Sequence, residues 1–294
     1  MQMLKTLIAD MTGLYRTCGP GVAARFATSI VTNVPVIWMK RDFQPADRAL
    51  GTGPFEVRLE GATPFRICGD GVISGIREMY VRDCYREHGA LQIRPGAVVL
   101  DLGANVGNFT NMALALGAAR VIAVEPSSGL NGAFTKSVSL NPGFMQRVSL
   151  FSAFLGTLPE KHQAIRETDP NYRDASFMNE AELIEAAKID RLDYLKCDIE
   201  GGEFAFLTPN CRLLQIARAI AIEIHAFAGD VQGFVNMLTG MGFQIRSQRF
   251  FSTDRGCCWR PDPMREDRSR RANALGQRQM RRPPARLIEE LFSG

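Results

Sequence analysis

Five short apolar runs between residues 97 and 225 constrain the fold of this chain more than any other feature. The runs are rich in β-branched residues and read AVVLDL, RVIAVE, RVSLFSAF, LDYLKCDI and RAIAIEIH. Helical stretches fit between most of them, at 108–117, 128–140, 179–188 and 230–241, and GFQIRSQRFF with GCCWR would form a closing hairpin. Apolar strands separated by helices are typical of a parallel sheet that helices cover on both faces. The sequence therefore predicts an α/β fold with a doubly wound sheet.

The residues before this sheet predict an N-terminal cap. Residues 1–50 have the pattern of one or two short helices and a proline-punctuated linker, and residues 55–69 alternate as a hairpin does. Residues 74–88 predict a helix with Ser74 as its N-cap. The domain boundaries that follow are 1–94 for the helical and hairpin cap, 95–260 for the core, and 261–294 for an Arg-rich, disordered tail.

The first run leads into the loop DLGANVG, which has the features of a cofactor site. Gly103 and Gly107 permit positive φ and would let a ligand approach the backbone closely. The helix that starts near Asn108 would point its free N–H groups into the same space. Glu125 ends the next strand 24 residues after Asp101, a spacing typical of an acid that binds two ribose hydroxyls. The segment predicts a nucleotide cofactor beyond the carboxyl ends of the strands.

Two classes of cofactor compete for this loop. A dinucleotide requires G-x-G-x-x-G, and no third Gly stands in that register. The Asp101 carboxylate would repel a pyrophosphate but attract the ammonium or sulfonium group of S-adenosylmethionine. The loop therefore favours S-adenosylmethionine, and the plainer alternative is a tight strand–helix turn without a ligand.

The fourth run ends in the acidic segment CDIEGGEF. Asp198 and Glu200 are two residues apart, so they would share a side if the strand continued. Gly201 and Gly202 would let the chain turn away without filling a pocket. Glu203 has an alternative structural interpretation, in which it caps the next helix. We expect this segment to face a cofactor and an incoming substrate.

The fifth run ends in AIEIH, which places Glu223 and His225 two residues apart. If the fifth strand neighbours the fourth, the two backbones lie about 4.8 Å apart. Glu200, Glu223 and His225 would then converge at one edge of the sheet. A single His on a strand also has a structural interpretation, and the sequence leaves this open.

The segment from about 97 to 250 resembles the FkbM-type family of S-adenosylmethionine-dependent methyltransferases. The motifs DLGANVGNFT, VIAVEPS, LDYLKCDIEGGEF and AIEIH stand in the family's order, and a helix with Glu78 lies upstream. The most specific motif, KCDIEGGE, is similar to the family's K-x-D-x-E-G-x-E block. The resemblance implies a seven-stranded class I methyltransferase sheet, Rossmann-like, and O-methylation of a sugar, glycan or natural-product hydroxyl. Residues 156–190 depart from the family's strand pattern, which indicates a reshaped substrate side.

The resemblance also implies which residues hold the cofactor. The methionine end would be lined by Asp101, Gly103, Asn105 and Gly107, the ribose by Glu125, and the adenine by Ser152 and Ala153, with Glu78 as a further cofactor-binding candidate.

Methyl transfer to an alkyl hydroxyl requires a group that accepts the hydroxyl proton. His225 suits this task because the pKa of His lies near working pH, and Asp198 and Glu200 complete the predicted catalytic set. The same three residues could instead hold a divalent cation, since carboxylate and imidazole ligands serve either role. The sequence does not choose between a base and a metal site.

The composition of the chain limits which functional classes and cellular locations we expect for this protein. The net charge is only +4, and ten Arg lie within 255–294, so the rest is nearly neutral and a dedicated nucleic-acid binder is disfavoured. The seven Cys form no C-x-x-C pair, which predicts free thiols in a reducing cytoplasm. Residues 22–38 are apolar, but Arg25, Asn33 and Pro35 argue against a transmembrane segment and leave a peripheral membrane contact open. We expect a cytoplasmic enzyme whose partner is a small-molecule or glycan acceptor.

Two other functions stay open at this stage. A nicotinamide-dependent oxidoreductase is disfavoured by the loop pattern and by the lack of a tyrosine–lysine pair after the fourth run. A non-catalytic module that retained the fold is harder to exclude, because a fold does not determine a function.

Overall fold

The computed structural model describes residues 2–40, 42–86, 91–156, 163, 166–252, 258–259 and 286–293.

The N-terminal part contains more helices than the sequence predicted. Its elements are α1 (Gln2–Cys18), α2 (Pro20–Thr32), α3 (Val34–Lys40), α4 (Gln44–Ala49), β1 (Phe55–Val57) and β2 (Phe65–Ile67). The two strands form the predicted antiparallel hairpin. The prediction of one or two helices and a linker in 1–50 was wrong because Pro20, Pro35 and Pro45 each stand in a first helical turn. Proline is tolerated there, since its missing N–H has no helical partner to lose.

A buried arginine connects these helices. The Nε atom of Arg77 lies 3.0 Å from Oδ2 of Asp10 on α1, and its guanidinium also pairs with Asp47 on α4. The guanidinium carbon lies 5.3 Å from the ring centroids of Phe26 and Phe43. Three helices thus surround one charge, which anchors them to the segment that carries Arg77.

That segment is not the regular helix predicted for 74–88. The chain forms α5 (Val72–Gly75) and then a π-helical segment (Ile76–Val81). Ser74 lies inside α5 and is therefore not an N-cap. Asp83 has a φ of 51°, a left-handed conformation in which a right-handed helix cannot continue. Residues 87–90 lie outside the described part of the chain.

The core of the fold is a parallel sheet built from the five predicted runs. Its strands are β3 (Val98–Leu102), β4 (Arg120–Val124), β5 (Val148–Phe151), β8 (Leu192–Cys197) and β9 (Ala217–His225), with β6 (Ala153–Leu155) and β7 (Ser176–Met178) paired separately. The spatial order is β9-β8-β3-β4-β5, and every neighbouring pair is parallel. The predicted α/β fold with a largely parallel sheet is confirmed.

Helices cover both faces of this sheet, as the apolar runs indicate. They are α6 (Asn108–Ala115), α7 (Ser128–Ser139), α8 (Glu180–Ala187), α9 (Glu203–Phe206), α10 (Arg212–Ile216) and α11 (Val231–Gly240). Val99 belongs to a hydrophobic cluster that contains Leu14 and Phe26 of the N-terminal helices. Its neighbour Leu100 belongs to a second cluster, with residues of α8, α10 and α11. Alternate residues of one strand therefore enter two separate cores.

Three further strands continue the sheet beyond β9. They are β10 (Phe243–Ser252), β11 (Cys258–Trp259) and β12 (Arg286–Ser293), in the order β11-β10-β12-β9. The pairing of β10 with β11 is antiparallel, as expected for the closing hairpin. The described sheet has eight strands where the family resemblance implies seven. Part of the predicted tail, 286–293, lies in the sheet, whereas 260–285 lie outside the described residues.

Within the described ranges, no single helix is both long and apolar enough to cross a bilayer. The pair α2 and α3 meets the same criteria of length and composition only when taken together, across a 77° bend.

Candidate functional site

The predicted site residues gather at the carboxyl edge of the parallel sheet, where β3, β4, β8 and β9 end. Ligands of open α/β sheets bind in this region, because side chains at the strand ends and helix N-termini face a common crevice. The loop after β3 and the segment after β8 are neighbours there.

The loop glycines are required by packing within the protein. Gly103 has a φ of 75°, and an added Cβ atom would lie 1.7 Å from the carbonyl oxygen of Asp198. Gly107 has a φ of 85°, and its Cβ would lie 2.9 Å from the ring of Phe134. At Gly103 the β3 loop approaches the residue that follows β8, and at Gly107 it approaches α7. Close approach of a ligand to these glycines stays a prediction.

A Gly103→Ala substitution tests this contact. The added methyl group meets backbone and requires a left-handed residue, so we expect the free energy of unfolding to fall by about 1–3 kcal/mol. Gly132→Ala is the matched control, because Gly132 lies within α7 and a Cβ there meets no atom within 4 Å. Alanine in a helix should stabilise the protein by about 0.5–1 kcal/mol. Equal urea midpoints for both variants would contradict the packing argument.

Asp101 is fully buried, and its partner is a lysine that the sequence analysis did not single out. Oδ2 of Asp101 accepts a hydrogen bond of 2.7 Å from Thr110, and Oδ1 lies 3.5 Å from Nζ of Lys196 on β8. Burial raises the pKa of Asp101, while Lys196 and Thr110 oppose that rise. The cation that Asp101 faces is therefore the Lys196 ammonium. Lys196 was detectable as a charged residue inside an apolar strand, two positions before Asp198.

Lys196 is the electrostatic centre of the site. Its ammonium donates to the carbonyl oxygens of Leu102 and Gly103 at 3.1 and 2.6 Å, and lies 3.8 Å from Oδ2 of Asp198. Burial alone would lower the pKa of Lys196, but Asp101 and Asp198 more than offset it, so the pKa is raised. The ammonium stays charged and holds the ends of β3 and β8 together.

Tyr85, also missed by the sequence analysis, brings the N-terminal part into the site. Its hydroxyl donates to Oδ2 of Asp198 at 3.2 Å, and the Lys196 ammonium lies 5.6 Å from its ring centroid. Its carbonyl oxygen accepts from the hydroxyl of Tyr194 on β8. Tyr85 is therefore anchored on β8 and orients Asp198.

Glu125 lies at the end of β4, as predicted, and is almost completely buried. Its Oε2 accepts from the backbone N–H of Asn105 at 3.0 Å, and its Oε1 accepts from that of Ser127 at 2.9 Å. Burial raises the pKa of Glu125, and these two N–H groups partly offset the rise. The carboxylate is oriented by two amides and keeps lone pairs for further donors such as ribose hydroxyls.

The two residues assigned to the adenine follow β5. Ser152 is exposed, and its Oγ accepts from the amide of Asn131 at 3.1 Å. Ala153 is buried and begins β6. Tyr172, which stacks on Phe154 with ring centroids 5.8 Å apart, lies close enough to Glu125 for that carboxylate to raise its pKa, after burial. An aromatic side chain thus lies beside the predicted nucleotide site.

His225 is buried at the end of β9 between two carboxylates. Its Nδ1 lies 3.1 Å from Oε1 of Glu203, and its Nε2 lies 3.5 Å from Oε2 of Glu200. Burial alone would lower the pKa of His225, but the hydrogen bond to Glu203 and the charges of Glu203 and Asp198 raise it. Glu203 is fully buried, so it is the residue that orients the imidazole.

Glu203 also has a structural role, which differs from the helix cap considered as its alternative interpretation. Its Oε1 accepts from the backbone N–H groups of Ile199 and Gly201, both at 3.1 Å, which lie in the turn before α9. One carboxylate oxygen therefore supports both the turn after β8 and the imidazole of His225.

Asp198, Glu200 and His225 come together as predicted, but by a different route. One ligand atom from each lies within 4.8 Å of the others. Asp198 and Glu200 were predicted to share a side only if the strand continued. The strand does not continue, because β8 ends at Cys197 and Glu200 has a left-handed φ of 54°. The turn after β8 brings Glu200 back towards His225.

Two further acidic residues, Glu78 and Glu223, interact with the charged groups at the carboxyl edge of the sheet. Burial, followed by the charge of Asp198, raises the pKa of Glu78 on the π-helical segment. Burial, followed by Asp198, Glu78 and Glu200, raises the pKa of Glu223 on β9 well above its ordinary value. Arg82, Arg77 and Lys196 lower the pKa of Glu78, and Lys196 lowers the pKa of Glu223. The edge therefore has a surplus of carboxylates, which suits a cationic ligand.

Comparison with known proteins agrees with this geometry. Residues 101–245 match the family model described as the methyltransferase FkbM domain. This range begins at Asp101 and includes all the site residues described above except Glu78 and Tyr85, which lie in the N-terminal part. No curated protein matches the chain significantly.

Proposed function

The chain belongs to the FkbM methyltransferase family through residues 101–245, and we propose that it is an S-adenosylmethionine-dependent O-methyltransferase acting on a hydroxyl of a sugar, glycan or natural product. The observation that supports this cofactor is the cluster of carboxylates at the carboxyl edge, where Asp198 and Glu200 converge beside His225 and the buried Lys196 ammonium lies between Asp101 and Asp198. A sulfonium cation is attracted to such an edge, whereas the pyrophosphate of a nicotinamide dinucleotide is repelled.

The residues at this edge fit the cofactor by the chemistry of their donor set. Glu125 would bind the ribose hydroxyls, since two amides already orient its carboxylate. The β3 loop from Gly103 to Gly107 would line the methionine end, and Ser152 with Ala153 would lie beside the adenine. S-adenosylmethionine supplies a methyl group on a positively charged sulfur when it is bound.

His225 is the residue that we propose accepts the proton of the acceptor hydroxyl. With its Nδ1 proton donated to Glu203, the imidazole presents the lone pair of Nε2 towards Glu200 and Asp198. A hydroxyl that reaches Nε2 would lose its proton there, which makes the oxygen a stronger nucleophile. Glu203 is a positioning residue in this scheme, because it acts through His225.

A divalent cation is the second candidate for this position, and one observation favours it. Glu203 occupies Nδ1, so Nε2 of His225 is directed towards two carboxylates, an arrangement common around metal-bound imidazole. Turnover that is lost with chelator and restored by Mg²⁺ or Mn²⁺ would support the cation. Turnover that does not respond to chelator would support His225 as a simple base.

Calorimetry with S-adenosylhomocysteine and with NAD tests the cofactor. We expect the wild-type protein to bind S-adenosylhomocysteine and not NAD. Glu125→Ala should weaken binding by about 1–3 kcal/mol, because it removes charge-assisted hydrogen bonds to the ribose. The matched control is Glu185→Ala, an exposed acid on α8. Unchanged affinity in Glu125→Ala would contradict the ribose assignment, and binding of NAD alone would favour the oxidoreductase.

A further inference from the structure

The exposed apolar side chains of this protein are concentrated at its N-terminus. Of the twelve large hydrophobic residues that are exposed in the described part, nine lie in α1, α2, α3 or the junction between them. The four most exposed in that set, each between 60% and 76% exposed, are Trp38, Val31, Met39 and Leu4. Large exposed apolar patches mark interaction sites, because a soluble surface rarely keeps them without a partner.

Five of the nine residues form what we call the apolar elbow: Val31, Val34, Val36, Trp38 and Met39. The elbow lies where α2 and α3 meet at a 77° bend. Ile37 is buried and holds α3 against the rest of the protein. The side chains of the elbow therefore project from an anchored support.

The exposed charges of α1, α2 and α3 are all positive. Residues 2–40 contain four basic side chains, all exposed: Lys5, Arg16, Arg25 and Lys40. They contain one acid, Asp10, which is buried and paired with Arg77 and Arg82. These helices therefore present positive charge and no exposed acid to a partner.

We propose that the apolar elbow inserts into the headgroup region of a membrane that contains anionic lipids. Amphipathic helices at a bilayer surface combine exposed Trp and aliphatic residues with Lys and Arg, and anionic lipids attract the basic residues. Trp is favoured at this depth because its ring is apolar while its N–H remains near water. The four exposed basic residues on these helices favour a lipid surface over a protein, whose interface core is usually depleted of Lys.

This inference does not depend on the proposed methyl transfer. It rests on α1–α3, which lie outside the matched range 101–245 and contribute none of the predicted site residues. It would place the catalytic core beside a membrane.

Vesicle flotation with the full-length chain tests the proposal. The wild-type protein should float with vesicles of phosphatidylcholine and phosphatidylserine and bind poorly to phosphatidylcholine alone. The double variant Trp38→Ser/Met39→Ser should partition about tenfold or more weakly, since it removes two large apolar side chains. Lys5→Glu/Lys40→Glu should weaken partitioning by about tenfold or more, and high salt should release the wild-type protein.

Matched controls separate the elbow from general surface effects. Met145→Ser changes an exposed Met outside α1–α3, and Lys136→Glu changes an exposed Lys on α7, so both should float as the wild type does. Circular dichroism and thermal unfolding confirm that each variant is folded. Equal flotation of the elbow variants and the wild type would overturn the proposal.

Two other outcomes would also overturn it. A dimer that Trp38→Ser/Met39→Ser dissociates, without binding to vesicles, would show that the elbow contacts a second copy of the chain. Resistance of the wild-type protein to extraction by high salt and alkaline carbonate would show that α2 and α3 cross the bilayer together.

Discussion

Replacing His225 with Ala should reduce turnover on the hydroxyl acceptor by about 10²–10⁴-fold, the usual contribution of general acid–base catalysis. Affinity for S-adenosylhomocysteine should stay near the wild-type value, because the ribose and methionine contacts are assigned to Glu125 and the β3 loop and not to His225. Single-turnover kinetics together with calorimetry separate the two effects. Wild-type turnover in His225→Ala would show that His225 is structural and that the base is Asp198, Glu200 or the substrate itself.

The pH dependence of turnover adds an independent test. The base must be neutral to accept a proton, so kcat/KM should fall as the pH drops below the pKa of His225. That pKa is raised above the ordinary value, mainly by Glu203 against the effect of burial. The acidic limb should therefore lie above the usual pKa of His, about 6.5. Glu203→Gln should shift this limb to lower pH, whereas a merely structural Glu203 would leave it in place.

Replacing Lys196 with Met should lower the free energy of unfolding by about 3–5 kcal/mol at neutral pH, as expected when one partner of a buried ion pair is removed. The substitution leaves Asp101 and Asp198 without their ammonium, and the carbonyl groups of Leu102 and Gly103 lose the hydrogen bond from Lys196. The Leu102 carbonyl keeps the backbone N–H of Asp198 at 3.0 Å. Urea unfolding measures the loss. The control Lys136→Met, which changes an exposed Lys, should stay within about 0.5 kcal/mol of the wild type.

The sign of the pH dependence identifies the group responsible. Burial already raises the pKa of Asp101, and loss of Lys196 removes the charge that opposes this rise. A carboxyl whose pKa is higher in the folded state destabilises the fold as pH rises above its unfolded pKa of about 3.9. The difference between Lys196→Met and wild type should therefore grow as pH rises and shrink in acid. Adding Asp101→Asn should restore part of the stability, and a pH-independent difference would contradict this account.

The strands and most core helices follow from the sequence, because their signals are local. A run such as AVVLDL reports burial on both faces, and in the fold Val99 and Leu100 do enter two different hydrophobic clusters. The predicted helix at 179–188 became Glu180–Ala187, with Asn179 and Glu182 forming a capping box. The helix predicted from the sequence pattern of residues 74–88 was wrong, because a π-helical segment and the left-handed Asp83 interrupt the regular helix there. Such interruptions depend on packing against other elements.

For the candidate site, too, some features could be predicted from the sequence and others could not. Sequence and family motifs were enough to predict that Asp198, Glu200 and His225 converge, because the ends of neighbouring parallel strands meet at one edge. They did not reveal that Tyr85 orients Asp198, a contact between residues separated by 113 positions. They also did not reveal the positioning role of Glu203, since one carboxylate there serves both a turn and an imidazole.

Residue types and their spacing alone predict the parallel sheet, the cofactor loop and the acidic strand ends. These features depend on residues only a few positions apart in the sequence. The partner of a buried charge, in contrast, cannot be predicted from residues nearby in the sequence. The sequence predicts that Asp101 attracts a cationic ligand, and only the fold reveals that it also faces Lys196, which donates to carbonyl groups 94 and 93 positions away. A buried charge must be paired, and which opposite charge is within reach depends on how the strands are ordered in space.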